Sequence, residues 1–155
     1  MPLNVGDQAP AIRAEAHSGQ IFDSAELLGR QTLVVYFYPK DATPNCTTQA
    51  CGFRDAYEEF VRAGAVVVGV SGDTLERHRR FVADRRLPFL LLSDADGALR
   101  RAFGVPKTWG IFPGRVTYVI DRQGIVRHVF NSQFHADRHI AEALRVVQDL
   151  ARDGE

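Results

Sequence analysis

A chain of 155 residues with 45% hydrophobic and 25% charged residues can bury a core of its own, and we expect a single domain over residues 1–155. Its 19 basic and 19 acidic residues cancel to a formal net charge of zero. This balance argues against a nucleic-acid-binding or membrane-surface protein, because both usually carry a basic excess. We expect a reducing cytoplasm, since Met1–Asp7 has no secretory-signal pattern and two cysteines are too few for a secreted disulfide scaffold.

Strands and helices are predicted to alternate through the first two thirds of the chain. Residues 5–30 are predicted as an N-terminal extension, with a strand at 11–16 and a short helix capped by Asp23 and Glu26. The main body is predicted as strand 33–38, a helix from Cys46 to about Ala63, strand 65–70, a helix capped by Asp73 with Glu76, strand 89–92 and a short helix at 98–103. Strand–helix–strand units of this length imply parallel pairing with right-handed crossovers.

The last third changes character. Val116–Ile120 and Ile125–Phe130 flank a turn that contains Gly124, which predicts an antiparallel hairpin. Apolar residues at helical spacing then mark one face of a closing helix: Ile140, Ala143, Leu144, Val147 and Leu150. This order predicts an α/β, thioredoxin-like fold, with a central mixed sheet flanked by helices, an N-terminal extension and an inserted βα unit.

The most informative stretch is YFYPKDATPNCTTQACGFRD, residues 36–55. Cys46 is predicted in the first turn of a helix, just beyond the end of a buried strand. The unpaired N–H groups of a first turn favour negative charge, so a thiol there is more often thiolate, the nucleophilic form. Thr43 can offer a hydroxyl to the sulfur or to a bound molecule, and Pro39 can wall the site from water.

These residues resemble a known family. Pro39-x-x-x-Thr43-x-x-Cys46 is the active-site pattern of the peroxiredoxins. The longer run, with Cys51 and Phe53-Arg54-Asp55, resembles the PrxQ or bacterioferritin-comigratory-protein (BCP) subfamily. Further similar segments cover nearly the whole chain: Val5–Pro10, Leu87–Asp94 and Arg115–Asp121.

The resemblance implies an antioxidant thiol peroxidase that reduces hydrogen peroxide and organic hydroperoxides and is recycled by thioredoxin or a similar dithiol. It implies that Arg115 is an active-site arginine, and that no metal, haem or flavin takes part. It also implies a monomer, with a weak dimer left open.

Spacing limits what the two thiols can do together. Across a regular helix the Cα atoms of Cys46 and Cys51 lie about 8.7 Å apart, whereas a disulfide needs roughly 7 Å or less. Either the first turns unwind or the pair never bridges. If the two cysteines do cycle together, Cys46 becomes a sulfenic acid and Cys51 condenses with it to a disulfide. An external dithiol then reduces that bond.

Each feature also has a plainer interpretation. The cysteines could be buried structural thiols, Pro39 and Thr43 turn residues, and Arg115 a strand-edge charge. A zinc site from the cysteines with His135 and His139 fits poorly, and we expect the histidines to face solvent. The cluster Arg77–Arg80, with Arg85 and Arg86, is interpreted as a solvated helix face that could instead steer an acidic partner.

Two other functions are considered, of which a peroxide sensor would use the same residues as the peroxidase. In a peroxide sensor, oxidation would unfold the helix and change partner binding. A disulfide oxidoreductase of thioredoxin type is disfavoured because the chain lacks Cys-x-x-Cys. Trp109–Pro113 precedes Arg115 and is predicted to be pocket wall or core, with a dimer contact or a docking patch left open.

Overall fold

Strand β3 (Thr32–Phe37) is the centre of the fold, because all six of its residues are buried. Its sequence, TLVVYF, consists of β-branched, aliphatic and aromatic residues, which favour a strand covered on both faces. The computed structural model describes residues 3–107 and 114–153.

The remaining elements follow the predicted alternation of strands and helices. The other strands are β1 (Arg13–Glu15), β2 (Ile21–Asp23), β4 (Ala65–Ser71), β5 (Leu90–Ser93), β6 (Val116–Ile120) and β7 (Val126–Asn131). The α-helices are α1 (Pro44–Asp55), α2 (Tyr57–Arg62), α3 (Leu75–Arg85), α4 (Ala98–Phe103) and α5 (Ala136–Arg152). In residues 3–107 and 114–153, no helix is long and apolar enough to cross a membrane.

β3 lies in the middle of a five-stranded sheet with the order β5-β4-β3-β6-β7. β3, β4 and β5 run parallel, whereas β6 is antiparallel to β3 and β7 is antiparallel to β6. β1 and β2 form a separate antiparallel pair, so the predicted N-terminal strand at 11–16 is confirmed but shorter. The predicted thioredoxin-like architecture, a mixed sheet flanked by helices, is confirmed.

Alternate residues of β3 enter two different cores, as the pleat of a strand requires. Val34 and Tyr36 pack with Cys46 in a core shared with α1, α2 and α5. Phe37 packs on the opposite face, where its ring lies 5.2 Å from that of Phe103 in α4. The carboxyl end of β3 is therefore held from both sides.

The helix predicted from Cys46 to about Ala63 is in fact two helices that meet at Ala56. Ala56 has φ −95° and ψ 4°, outside the helical region. The break lets α1 pack against α5 while α2 packs against β4. A single straight helix could not follow both surfaces.

The predicted cap of α3 is wrong by one residue. Thr74 is the N-cap, and its side chain accepts from the N–H of Arg77. Asp73 is unavailable for capping because its carboxylate accepts from the N–H of Asp41 and the hydroxyl of Ser71, at 2.8 and 2.6 Å. Asp23, by contrast, caps a short 3-10 helix as predicted.

The expectation that the histidines face solvent is wrong for His78 and His139, which are both 0% exposed. The Nε2 of His139 lies 2.7 Å from the carbonyl oxygen of Ser132, and its Nδ1 lies 2.7 Å from the hydroxyl of Thr117. Because a carbonyl oxygen only accepts, Nε2 carries the proton and Nδ1 accepts from Thr117. Burial lowers the pKa of His139 from 6.5 to about 4.

Gly69 of β4 is expected to resist substitution. A Cβ at this position would lie 2.8 Å from both the Tyr36 ring and Leu91. Because Tyr36 is stacked on other aromatic rings, Gly69→Ala should lower the free energy of unfolding by about 1–3 kcal/mol through overpacking. Urea unfolding measures the change. Gly72→Ala is the control, since the nearest atom to its Cβ is 3.7 Å away, and equal effects of the two substitutions would contradict the prediction.

His139 should make stability depend on pH. Its folded pKa of about 4 lies below the unfolded value of 6.5, so the unfolded chain binds more protons in that window. Its contribution is therefore present above pH 6.5 and is lost as the pH falls towards 4. The loss is about 2 kcal/mol at pH 4.5.

Urea unfolding of His139→Gln at pH 7 and pH 4.5 tests this prediction. Glutamine cannot titrate but can still bind the Ser132 carbonyl, so the variant should lose less stability than wild type between the two pH values. His135→Gln changes an exposed histidine nearby and should behave like wild type. A wild-type pH slope in His139→Gln would mean that His139 is not held neutral.

Candidate active site

Cys46 lies in the first turn of α1, just past the carboxyl end of β3. Thr43 is the N-cap, with an extended backbone, and Pro44 occupies the first helical position, where a missing N–H costs nothing. Cys46 is 1% exposed. The partial positive charge of the helix N-terminus therefore lies beside a sulfur atom that is shielded from water.

Arg115 is the cation that faces Cys46. Its Nη2 lies 3.2 Å from the Cys46 Sγ, its Nη1 donates to the Gln49 side-chain oxygen at 2.6 Å, and its Nε donates to the Gln133 carbonyl at 3.1 Å. The side chain is only 2% exposed. All three nitrogens of the guanidinium are therefore engaged, and the structure brings Arg115 and Cys46 into contact.

Gln49 is a member of this group that the sequence reasoning missed. It lies one helical turn after Cys46, is 0% exposed, and binds Arg115 through its oxygen. Its Nε2 is buried, and no hydrogen-bond partner for it lies within residues 3–107 and 114–153. A buried amide N–H of this kind can donate to an oxygen atom that enters the site.

The loop after β7 fixes the other side of Arg115. Besides the Gln133 carbonyl contact, the N–H of Ser132 donates to the Arg115 carbonyl at 3.1 Å. His139 in turn binds the Ser132 carbonyl from α5. The guanidinium is therefore positioned by a chain of contacts that ends on the buried His139 of α5.

A buried polar network supports the loop between β3 and α1. Asp41 accepts from the Tyr38 hydroxyl at 2.5 Å and lies 2.6 Å from Nδ1 of His78, while Nε2 of His78 lies 2.9 Å from the Leu92 carbonyl. Both ring nitrogens of His78 therefore face oxygen acceptors, one on the loop and one on β5. The loop is thus anchored to the sheet and to α3.

The same loop carries Pro39 and Thr43. Pro39 is half-buried, and the Thr43 hydroxyl donates to the Lys40 carbonyl at 2.9 Å. The Thr43 oxygen therefore presents its lone pairs to other groups, rather than its proton to the sulfur. Ala42 between them has φ +65°, a left-handed conformation that a residue other than glycine holds only when its surroundings enforce it.

Cys51 shares α1 with Cys46, and both are free thiols. α1 is continuous from Pro44 to Asp55, which keeps the two Cα atoms about 8.7 Å apart and beyond the roughly 7 Å limit of a disulfide. Cys51 is half-buried. Nearby, α1 approaches α5 so closely that a Cβ on Gly52 would lie 2.9 Å from Ile140.

The described side chains that could be considered as metal ligands already form hydrogen bonds within the protein. The disfavoured zinc set included His139, whose two ring nitrogens bind Thr117 and Ser132. Elsewhere in the described residues, Asp41, Asp73 and His78 bring ligand atoms within 4.8 Å of one another. These atoms hydrogen-bond within the network that supports the loop. Trp109–Pro113, predicted as pocket wall or core, lies outside the described residues.

Comparison with known proteins places this geometry in a family. Residues 5–129 match the AhpC/TSA family. The chain is 45% identical over 149 residues to the chloroplastic peroxiredoxin Q of Oryza sativa subsp. japonica, covering 96% of this chain and 68% of the relative.

Solved structures of related proteins have the same fold as this chain. Peroxidoxin BcpB from Mycobacterium tuberculosis superposes with a TM-score of 0.87 at 34% identity, covering 96% of this chain and 98% of that one. A Xanthomonas campestris bacterioferritin comigratory protein, studied for alkyl peroxide reduction, gives a TM-score of 0.84 at 31% identity, with coverage of 96% and 98%. The chain therefore belongs to the AhpC/TSA family and is a peroxiredoxin, a thiol peroxidase, of the PrxQ or BCP type.

Proposed function

We propose that Cys46 is the peroxidatic thiol and that Arg115 orients and activates both it and the peroxide. The contact of 3.2 Å between Arg115 Nη2 and Cys46 Sγ carries this proposal. A charge-assisted contact to a buried sulfur stabilises the thiolate, and the same fork of donors can bind the peroxide oxygens.

In the proposed reaction, the Cys46 thiolate attacks one oxygen of the peroxide. An S–O bond forms as the O–O bond breaks, and the sulfur supplies the electron pair. The leaving oxygen takes a proton and departs as water or an alcohol, which leaves a sulfenic acid on Cys46.

Three neighbours have distinct roles in this step. The Thr43 oxygen, whose proton is used on Lys40, can accept from the peroxide hydroxyl. Gln49 fixes Arg115 through its oxygen. Pro39 closes one wall of the site at the end of β3. Together they would hold the peroxide in line with the sulfur.

Cys51 is proposed as the resolving thiol. Its attack on the Cys46 sulfenic acid forms a disulfide and releases water, and thioredoxin or a similar dithiol then reduces the disulfide by exchange. Because the two Cα atoms are too far apart on an intact helix, α1 must unwind first. Hydrogen peroxide and organic hydroperoxides are the proposed substrates, and the alkyl peroxide activity of the Xanthomonas campestris relative supports the second class.

Cys46→Ser should abolish peroxidase activity, because the hydroxyl that replaces the thiol is not a nucleophile at neutral pH. NADPH oxidation coupled through thioredoxin reductase and thioredoxin, with hydrogen peroxide present, measures the rate. The variant should fall to the background without enzyme while it still unfolds in a cooperative urea transition, which shows that it is folded. Turnover in a folded Cys46→Ser protein would assign the chemistry to another residue.

Cys51→Ser should separate peroxide reduction from recycling. It is expected to consume one peroxide per chain at close to the wild-type rate, because the Cys51 thiol is not needed until the sulfenic acid exists. Its thioredoxin-coupled turnover should be lost, and dimedone should label Cys46 after oxidation. Normal cycling with thioredoxin would show that Cys51 is not the resolving thiol. Repeated wild-type turnover would also distinguish an enzyme from a peroxide sensor.

A further inference from the structure

A second guanidinium reaches the active site from the other face of the sheet. Arg100 lies on α4, whose Phe103 packs in the core opposite α1. Its side chain passes the Phe37 ring, 5.8 Å from the ring centroid, towards the carboxyl end of β3. Neither the active-site motif nor the chemistry proposed above assigns any role to Arg100.

Arg100 binds two carbonyl groups that belong to separate parts of the active site. Its Nη2 donates to the Tyr38 carbonyl at 2.7 Å, and its Nη1 donates to the Gly114 carbonyl at 3.1 Å. Tyr38 directly precedes Pro39, and Gly114 directly precedes Arg115. One side chain therefore joins the start of the loop that leads to Cys46 to the segment that carries Arg115.

The backbone of Arg100 is also held in place. The Asp94 carboxylate accepts from the N–H groups of Leu99 and Arg100, at 2.9 and 3.1 Å. Asp94 is 5% exposed and follows β5 directly. The first turn of α4 is thus tied to the sheet, so Arg100 starts from a defined position.

Arg100 also interacts electrostatically with Cys46. Burial lowers the pKa of the Arg100 guanidinium, while the Asp94 carboxylate and the Cys46 thiolate act in the opposite direction. The guanidinium stays ionised, since it is surrounded by acceptors and faces negative charge. Cys46 therefore has a second cation nearby, besides the Arg115 that it contacts.

We propose that Arg100 is a positioning residue for peroxide reduction: it clamps the Tyr38 and Gly114 carbonyls together and so fixes Arg115 relative to Cys46. This inference rests on the proposed function of Cys46 and Arg115. Only a planar fork reaches two acceptors at once from one rigid group. A lysine would keep the charge but bind the two carbonyls less well.

The test measures the second-order rate constant for oxidation of Cys46 by hydrogen peroxide in a single turnover. Arg100→Leu removes the clamp and the charge, and Arg100→Lys removes mainly the clamp. Arg101→Leu is the matched control, because Arg101 is exposed on the same helix and binds the Asp96 carbonyl instead. We expect a loss of roughly tenfold or more for Arg100→Leu, partial recovery in Arg100→Lys, and a wild-type rate for Arg101→Leu.

Two further measurements separate positioning from a general effect on folding or charge. In a double-mutant cycle, Arg100→Leu should cost much less in an Arg115→Lys background than in wild type, because both changes disturb the same guanidinium. The pH dependence of Cys46 alkylation by iodoacetamide reports the thiolate. Arg100→Lys should leave its midpoint unchanged while its peroxide rate falls.

Several results would overturn the proposal. One is an oxidation rate constant in Arg100→Leu equal to that in Arg101→Leu. A second is a fold-loss for Arg100→Leu that is as large in the Arg115→Lys background as in wild type. A third is a fall in the Arg100→Lys rate that is fully explained by a smaller fraction of Cys46 thiolate. If Arg100→Leu does not fold, Arg100→Lys carries the same comparisons. A wild-type chain that consumes no peroxide, or a Cys46→Ser chain that does, would refute the proposed function instead.

Discussion

The contact between Arg115 and the Cys46 sulfur is the interaction on which the rest of the site depends. A buried thiolate and a buried guanidinium are each costly alone, and they stabilise each other only if their separation is fixed. The fold meets this requirement from both partners. Helix α1 presents the sulfur at its N-terminus, while Gln49 and the Gln133 carbonyl hold the guanidinium in one orientation.

The two faces of the central sheet make different contributions to this geometry. The face covered by α1 and α5 supplies the sulfur, Gln49 and the histidine that fixes the loop after β7. The other face supplies Arg100, which reaches the carboxyl end of β3 from α4. Ligand sites in α/β sheets commonly lie beyond the carboxyl ends of strands, where loops from both faces meet. Here that meeting point holds the Cys46 sulfur and the Arg115 guanidinium.

The sequence predicts the layout of the sheet and the position of Cys46. A continuous apolar strand followed by a helix start leaves few other places in the fold for the segment that carries Cys46. The sequence does not predict the buried polar partners. His78 lies three residues before Phe81 and shares its buried face, yet the surrounding arginines suggest a solvated one. Gln49 reads as an ordinary helical residue, since its role depends on Arg115, 66 positions away. The break at Ala56 likewise follows from tertiary packing rather than from local propensity.

The break at Ala56 also limits how far any unwinding of α1 could extend along the chain. If α1 must melt for Cys51 to reach Cys46, the cooperativity of a continuous helix would carry the melting onward along the chain. The turn at Ala56 interrupts the hydrogen-bond ladder, and Phe60 keeps α2 anchored in the core. If α1 does unwind in each cycle, the change is therefore confined to one helix, and the anchored α2 stays in place as a fixed end from which α1 can re-form.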